Sequence, residues 1–465
     1  MSDILRVHIP ERRSASWALI SWLAFGVIGP VVLLAAALAG CCLLAFSSEG
    51  PPNSAESPLL PTATFVLAAL VAAWIYRRWF GSQKVYAVGE KTSFEQASPG
   101  FNALRARHFP GPFPNGWYQL LSSEQLVAGA APLPVTALGQ ELVAFRGASG
   151  QAGVLAAHCP HLGAHLGVGG RVVGDCVECP FHQWRFDASG QCRGIPYIDG
   201  PVPASARTRS YPVRELLGCV FLWHDAEGRA PMWEPTVPGR LQDGSMYLGG
   251  VTPLRFSMHV SEMFENSADQ RHFNTLHAPF PLFPLSLFLN LDHTIQLDWP
   301  TGRPDGSHLC LFRESATVQF RGLFPVAPTQ RTDILFDGPS IMHFMMHTPL
   351  GRFHVMKTAL PVAPFVLLTE DRWWADHHMP RWLGWLLARI GSNALEQDRT
   401  VWEHKIYRAK PMLVKGERSF TLHRQWYRQF YSPSSIQFNT TATADPSSTT
   451  AAASTTGAAD SLLAW

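Results

Sequence analysis

Between residues 116 and 228 apolar positions alternate with polar ones in short runs: "WYQLL", "ELVAF", "AGVLAAH", "GRVVG" and "CVFLWH". Gly, Pro and Asp separate them. A period of two punctuated by turn residues predicts short β-strands and an all-β domain. The pattern changes near residue 231. Strand-like runs ("HTIQL", "TDILF", "FHVMKTAL") now mix with two helical stretches, "SEMFENSADQRHFNTLH" and "RWLGWLLARIGSNALEQDRTVWEHKIYRA". This predicts a second, α+β domain. After residue 431 comes a Ser/Thr/Ala-rich tract with too few apolar residues to build a core, which predicts a disordered tail.

The N-terminal pattern differs from both. Residues 15–46 contain no charged side chain, and residues 59–76 form a second apolar run. The first is ample for a spanning helix of about 20 residues, and the second is near the minimum. Arg6, Arg12 and Arg13 precede the pair, Arg77, Arg78 and Lys84 follow it, and the joining "SSEGPPNSAESP" has no Lys or Arg. The positive-inside rule then predicts a transmembrane helical hairpin with both ends cytosolic. A cleaved signal peptide fits less well, because the apolar run is too long and a second follows. An interfacial second segment would invert the topology. The expected organisation is a membrane anchor at 1–80, a linker at 81–115, a β-domain at 116–228, an α+β domain at 229–432 and a tail at 433–465.

Composition changes this picture little. The chain has 465 residues, 46% hydrophobic and 15% charged, with a formal net charge of +2. That balance gives no reason to expect nucleic acid. The eight cysteines are not spaced as a secreted disulfide framework, so a reducing compartment is expected.

Candidate chemistry begins in the β-domain with "AHCPHLGAHLGVGGRVVGDCVECPFHQW". Cys159-x-His161 and Cys179-x-x-His182 are separated by 17 residues. Zinc favours Cys-x2–4-Cys knuckles. Two Cys and two His in this arrangement suit a Rieske [2Fe–2S] cluster, with thiolates on one iron and imidazoles on the other. Cys176, His158 and His165 are read as bystanders. Downstream, "FENSADQRHFNTLHAP" supplies Glu265, Asp269, His272 and His277. Two His and a carboxylate with open positions make a non-haem Fe(II) site. Pro279 disfavours helix just before it, so His277 is expected at a bent helix end. Asp269, three before His272, is close enough on a helix to orient its ring. The bland alternative is a polar helix face with two solvated histidines. "NALEQDRTVWEHK" offers Glu396, Asp398 and Glu403 as the missing carboxylate, and the residues alone leave that choice open.

Together these motifs resemble the Rieske non-haem iron oxygenases over about residues 114–431. "PFPNGWYQLLSSEQL", "ENSADQRHFNTLH", "EQDRTVWEHK" and "WYRQFYSPSS" look like the animal cholesterol 7-desaturases, and the N-terminal anchor fits that group. Ala164 and Phe181 stand where high-potential respiratory Rieske proteins carry a cysteine pair, so the oxygenase branch is implied. The resemblance implies a helix-grip catalytic domain, Asp398 as the third iron ligand, and Glu396 and Glu403 as exposed helix charges. It also implies a head-to-tail homotrimer in which His182 of one subunit meets Asp269 of the next. Electrons would come from NAD(P)H through a reductase or ferredoxin-type donor. The expected reaction is O2-dependent desaturation of a sterol at C7–C8, at an endoplasmic-reticulum membrane with cytosolic catalytic domains. The apolar stretch 278–291 is either a sterol wall or ordinary core. Competing functions are a hydroxylase of another steroid or polycyclic lipid, a membrane-anchored Rieske electron-transfer protein, and a catalytically dead sensor.

Overall fold

The computed structural model describes residues 105, 108–279, 288–298, 308–348 and 350–435. The expected membrane hairpin, most of the linker, most of the tail and residues 280–287 of the apolar stretch lie outside the described residues. Among the described residues no helix is long and apolar enough to cross a membrane.

The alternating runs form three small antiparallel sheets. One joins β1 (Gly116–Ser122) to two later strands. The second contains β2 (Leu133–Ala137), β3 (Gln140–Arg146) and β4 (Ala152–Ala156). The third contains β5 (Arg171–Val173), β6 (Cys176–Glu178), β7 (Arg185–Asp187) and β8 (Cys192–Gly194). β9 (Val213–Leu216) and β10 (Cys219–His224) return to pair with β1 in the order β1-β10-β9. Val143, Phe145, Leu155, Leu166, Val177 and Phe186 bury one core between the second and third sheets, and Cys159 and Cys179 belong to it. The two cysteines are therefore held from below by packed side chains.

The second region is one long antiparallel sheet. Its strands are β11 (Met246–Phe256), β12 (Leu289–Asp298), β13 (Leu309–Phe320), β14 (Phe324–Pro325), β15 (Gln330–Asp337), β16 (Ile341–Thr348), β17 (Gly351–Ala363) and β18 (Val366–Asp376). They run in the order β11-β18-β17-β16-β15-β13-β12, with β14 beside β13. Four helices pack with it: α1 (Val260–Asn266), α2 (Gln270–Leu276), α3 (Arg381–Trp402) and α4 (Arg418–Arg428). Leu254, Phe256, Met263, Phe264, Phe312, Phe336, Trp402, Trp426 and Tyr427 fill the core between sheet and helices. A Cβ on Gly384 would stand 2.7 Å from the Trp373 ring, so glycine lets α3 approach β18 closely.

Two helical expectations need correction. "SEMFENSADQRHFNTLH" is two short helices, broken at Ser267–Asp269, because the Asp269 carboxylate caps α2. The second stretch ends at Trp402, where Glu403 is the C-cap, and does not run on to Ala409.

The two regions are tied together by polar contacts. Gln119 of β1 donates to Glu370 at 2.5 Å and accepts from Thr358 at 2.8 Å, and Arg372 reaches both Glu370 and Ser122. Buried polar groups that are mutually satisfied at a seam fix its register.

Candidate metal centres

The first centre is built from two loops. The one after β4 carries Cys159 and His161, and closes with Cys159 N–H donating to Ala164 O at 2.8 Å and Gly163 N–H to Cys159 O at 2.9 Å. The one after β6 repeats the device: Cys179 N–H donates to Trp184 O at 2.8 Å, and Gln183 N–H to Cys179 O at 3.1 Å. Gln183 adopts a φ of 60°, a left-handed conformation unusual for a side-chain-bearing residue, which turns the chain sharply after His182. Glu178, buried just before Cys179, accepts from Arg171 at 2.6 Å and Arg185 at 2.7 Å and so anchors the second loop.

The loops bring the four side chains together. Cys159 and Cys179 are both buried and free of disulfides. Burial raises the Cys159 thiol to about 11, with Cys179 beside it adding to the effect. A thiolate there needs a strong cation. The His161 and His182 rings lie 4.8 Å apart, and His182 Nδ1 is buried without a hydrogen-bond partner among the described residues. Paired thiols on one side, paired imidazoles on the other and an orphaned ring nitrogen fit a [2Fe–2S] group. The Trp184 ring stacks on His161 at 4.7 Å and 7°, and donates its N–H to Tyr197 at 2.7 Å. Leu162 and Phe181, next to the two histidines, are exposed, so this edge faces outward. Cys176 lies on β6.

The second centre lies between α2 and α3. One ligand-type atom each from His272, His277 and Asp398 falls within 4.8 Å of the others. Among the described residues this is the only such group. His272 Nδ1–H donates to the Asp269 backbone carbonyl at 2.6 Å, and His277 Nδ1–H donates to Gln397 Oε1 at 2.8 Å. Each bond fixes the tautomer that leaves Nε2 unprotonated, with its lone pair available to a metal. His277 Nε2 stands 3.3 Å from Asp398 Oδ1, yet among the described residues that buried oxygen makes no hydrogen bond. Two acceptors facing each other across an unbridged gap fit a divalent cation with oxygen and nitrogen ligands. Electrostatics splits the two rings. For His272, burial lowers the pKa and outweighs Asp398 and Asp269. For His277, burial also lowers it, but the adjacent Asp398 and Gln397 win and raise it.

The other expected residues have different surroundings. Asp269 orients the His272 ring through its carbonyl, whereas its side-chain Oδ1 accepts from the Arg271 and His272 backbone N–H groups at 2.8 and 3.2 Å. Its Oδ2 is 3.9 Å from His272 Nδ1. Glu265 is committed to a bidentate pair with Arg424, at 2.6 and 3.0 Å. Glu403 is buried, not exposed: Arg399 Nη1 donates to it at 3.0 Å and Ser257 N–H at 2.9 Å. Glu396 is half-buried and pairs with Arg399 at 2.8 Å. Sequence reasoning missed Gln397 and Asn266. Asn266 Nδ2 sits 3.2 Å from His272 Nε2, while its Oδ1 accepts from Trp402 Nε1 at 3.2 Å. Neither had a sequence signal beyond nearness to a ligand.

The β-domain with a two-thiol, two-imidazole loop pair, followed by an α+β domain with a two-His, one-carboxylate cluster, defines a Rieske-type oxygenase. Residues 116–212 match the Rieske [2Fe-2S] domain. Residues 222–361 and 375–431 match the 3-ketosteroid 9alpha-hydroxylase C-terminal domain. The chain belongs to the cholesterol 7-desaturase family of these oxygenases. It is 33% identical over 333 residues to cholesterol 7-desaturase nvd 1 of Ciona intestinalis, covering 70% of each chain. With cholesterol 7-desaturase nvd of Hemicentrotus pulcherrimus it shares 31% identity over 403 residues, 83% of this chain and 85% of the relative. The oxygenase component of 3-ketosteroid-9-alpha-monooxygenase from Mycolicibacterium smegmatis is 29% identical over 71% of this chain and 86% of its own. Among solved structures, dicamba monooxygenase bound to dicamba superposes with a TM-score of 0.54 at 20% identity, over 68% of this chain and 97% of that one. This last likeness speaks to fold alone. A Rieske domain in an oxygenase of this class implies a [2Fe–2S] cluster and a mononuclear iron.

Proposed function

We propose that this chain desaturates cholesterol at C7–C8 to 7-dehydrocholesterol, using O2 and electrons drawn from NAD(P)H through a reductase or ferredoxin-type donor. Substrate and donor together supply the electrons and hydrogens that take O2 to water. The observation that carries the reading is the convergence of His272, His277 and Asp398, with ligand-type atoms within 4.8 Å of one another and, among the described residues, an unsatisfied carboxylate oxygen, in a chain 30–33% identical to named cholesterol 7-desaturases.

In this reading Cys159, His161, Cys179 and His182 hold the cluster, and His272, His277 and Asp398 hold the iron. Iron bound there supplies oxygen activation. The chain's own residues do the rest. The Asp269 carbonyl and Gln397 aim the two rings. Trp184 stacks on His161, and Phe181 and Leu162 form an apolar collar around the cluster edge. The Asp269 carboxylate is partly exposed and free at Oδ2 to meet His182 of a neighbouring subunit in a head-to-tail homotrimer. The apolar stretch 278–291, directly after His277, is the proposed sterol wall. The uncharged segment at 15–46 and the apolar run at 59–76 support an anchor in an endoplasmic-reticulum-type membrane, with both domains on the cytosolic side.

The test is sterol profiling of a cholesterol-fed host cell expressing the chain. The expected product is 7-dehydrocholesterol, lost in His272→Ala. A hydroxylated steroid instead would favour the hydroxylase alternative. A chain with about two irons and unaffected by His272→Ala would be an electron-transfer protein.

A further inference from the structure

We infer that the hairpin between β13 and β14 is a membrane-contacting tip that dips into the lipid headgroup region beside the catalytic domain. This rests on the membrane-borne sterol reading and adds a second point of attachment. Residues 321–329 are exposed without interruption, and large apolar side chains among them stand open to solvent: Leu323 is 75% and Phe324 53% exposed. Val326 and Phe288, the residue just before β12, are exposed too.

The tip is a built element. Arg321 and Gly322 are both left-handed, at φ 47° and 69°, and Leu323 N–H closes the turn on Phe320 O at 2.9 Å. Phe320 stacks on Phe324 at 5.5 Å, and Arg321 N–H donates to Phe288 O at 2.8 Å. The Arg321 guanidinium lies 5.6 Å over the Phe288 ring. Holding a bulky residue at positive φ is strained, and the surrounding bonds keep it there.

Charge and size select the occupant. From residue 315 to residue 332 the chain has no Asp or Glu, but has Arg321 and Arg331 on either side of "LFPVAP". Apolar and aromatic residues flanked by arginine match the boundary between acyl chains and phosphate headgroups. A second protein surface fits less well. Four exposed apolar side chains offer on the order of a few hundred Å2, short of the roughly 1,000 Å2 a stable protein interface buries. A bilayer needs no complementary shape. The position also serves the chemistry. β12 leads from Phe288 to His293, whose carbonyl accepts from Asn274 at 3.0 Å and Gln270 at 3.2 Å, both on α2 with His272. At about 3.3 Å per residue that path is about 17 Å.

The full chain, loaded with both metal groups, is reconstituted in phosphatidylcholine–phosphatidylserine vesicles with Phe324→p-benzoylphenylalanine and, separately, Val127→p-benzoylphenylalanine. Val127 is an exposed apolar residue of the β-domain. Irradiation should crosslink lipid at 324 and not at 127. Crosslinking at 324 to another copy of the chain, equal lipid labelling at both positions, or none at 324 would overturn the inference. None of these readouts needs catalysis, so a wild-type chain inactive on cholesterol would instead count against the proposed reaction. A second arm uses Leu323→Asp/Phe324→Asp. KM for vesicle-borne cholesterol should rise at least about tenfold with kcat unchanged, while cyclodextrin-delivered cholesterol is turned over as before. Equal losses under both deliveries would mean that the tip serves the fold, and would overturn the inference as well.

Discussion

Asp269 acts through three groups that substitution can separate. Its Oδ1 caps α2, its carbonyl orients His272, and its Oδ2 is left over. Asn caps a helix as well as Asp does and keeps the same carbonyl. Asp269→Asn should therefore retain stability and both metal groups while losing only the charge. Electron transfer from cluster to iron, followed by stopped-flow single turnover, should slow at least about tenfold; an unchanged rate would sink the proposed bridge. Asp269→Ala should also lose about 1 kcal/mol of stability with the cap. His423 is a second residue with a separable role. It is buried among Phe312, Phe336, Trp426 and Tyr427, and neither ring nitrogen has a hydrogen-bond partner among the described residues. Burial lowers its pKa to about 4. The unfolded chain, with an ordinary histidine near 6.5, takes up a proton that the folded chain refuses. The neutral ring's contribution is thus complete above about pH 6.5 and is lost as pH falls towards 4. His423→Phe should stabilise by about 1–3 kcal/mol at pH 7.5 by removing the unsatisfied nitrogens. The gain should be larger at pH 5, and unfolding midpoints at the two pH values check it.

At the scale of elements, α3 decides whether Asp398 meets the two histidines. Arg399 sets its depth: it donates to the Arg255 carbonyl at 2.7 Å, pairs with Glu396 and Glu403, and lies 4.3 Å over the Phe256 ring. Arg399→Ala leaves Glu403 buried without this partner, and breaking such a pair costs about 3–5 kcal/mol. Because Asp398 is the preceding residue, mononuclear iron affinity should fall about 10–100-fold while cluster absorbance stays. Metal analysis with visible spectroscopy measures both; equal loss of both metals would mean general unfolding. The same helix marks what the sequence makes legible. Short alternating runs announce strands, because pleating alone imposes a period of two, and ligand-type residues announce chemistry. His272, His277 and Asp398 lie with ligand-type atoms within 4.8 Å of one another, but Asp398 was singled out by the resemblance, not by the residues alone. The neighbours that tune them were not legible. Glu403 reads as an exposed charge because its partners include Ser257, 146 positions away. Gln397 and Asn266 carry no motif, and their roles arise only once α2 and α3 meet. The break at Ser267–Asp269 was missed because helical periodicity continues through it, while the cap that enforces it is a single side chain.

At the scale of the whole molecule, both ends of the proposed electron path reach the surface. Exposed Leu162 and Phe181 flank the cluster histidines, and the Asp269 side chain is 26% accessible. A route closed within one chain would gain by burying both ends, because water around a charge-transfer path raises the reorganisation needed at each step. Two open ends favour transfer between chains, and a mixing experiment separates the cases. In the proposed assignment His182→Ala removes a cluster ligand and leaves the iron site; His272→Ala does the reverse. Each homogeneous protein should be inactive. When the two are co-expressed with different tags and mixed oligomers are isolated, a cluster on the His272→Ala chain can feed the iron of an adjacent His182→Ala chain. Desaturation should reappear only in the mixed species and vanish on dissociation. If electrons stay within one chain, no mixture can regain activity, since no chain holds both centres. Tag-purified mixed oligomers without product, or a chain that sediments as a monomer while active, would reject transfer between subunits and leave Asp269 only its capping and orienting roles.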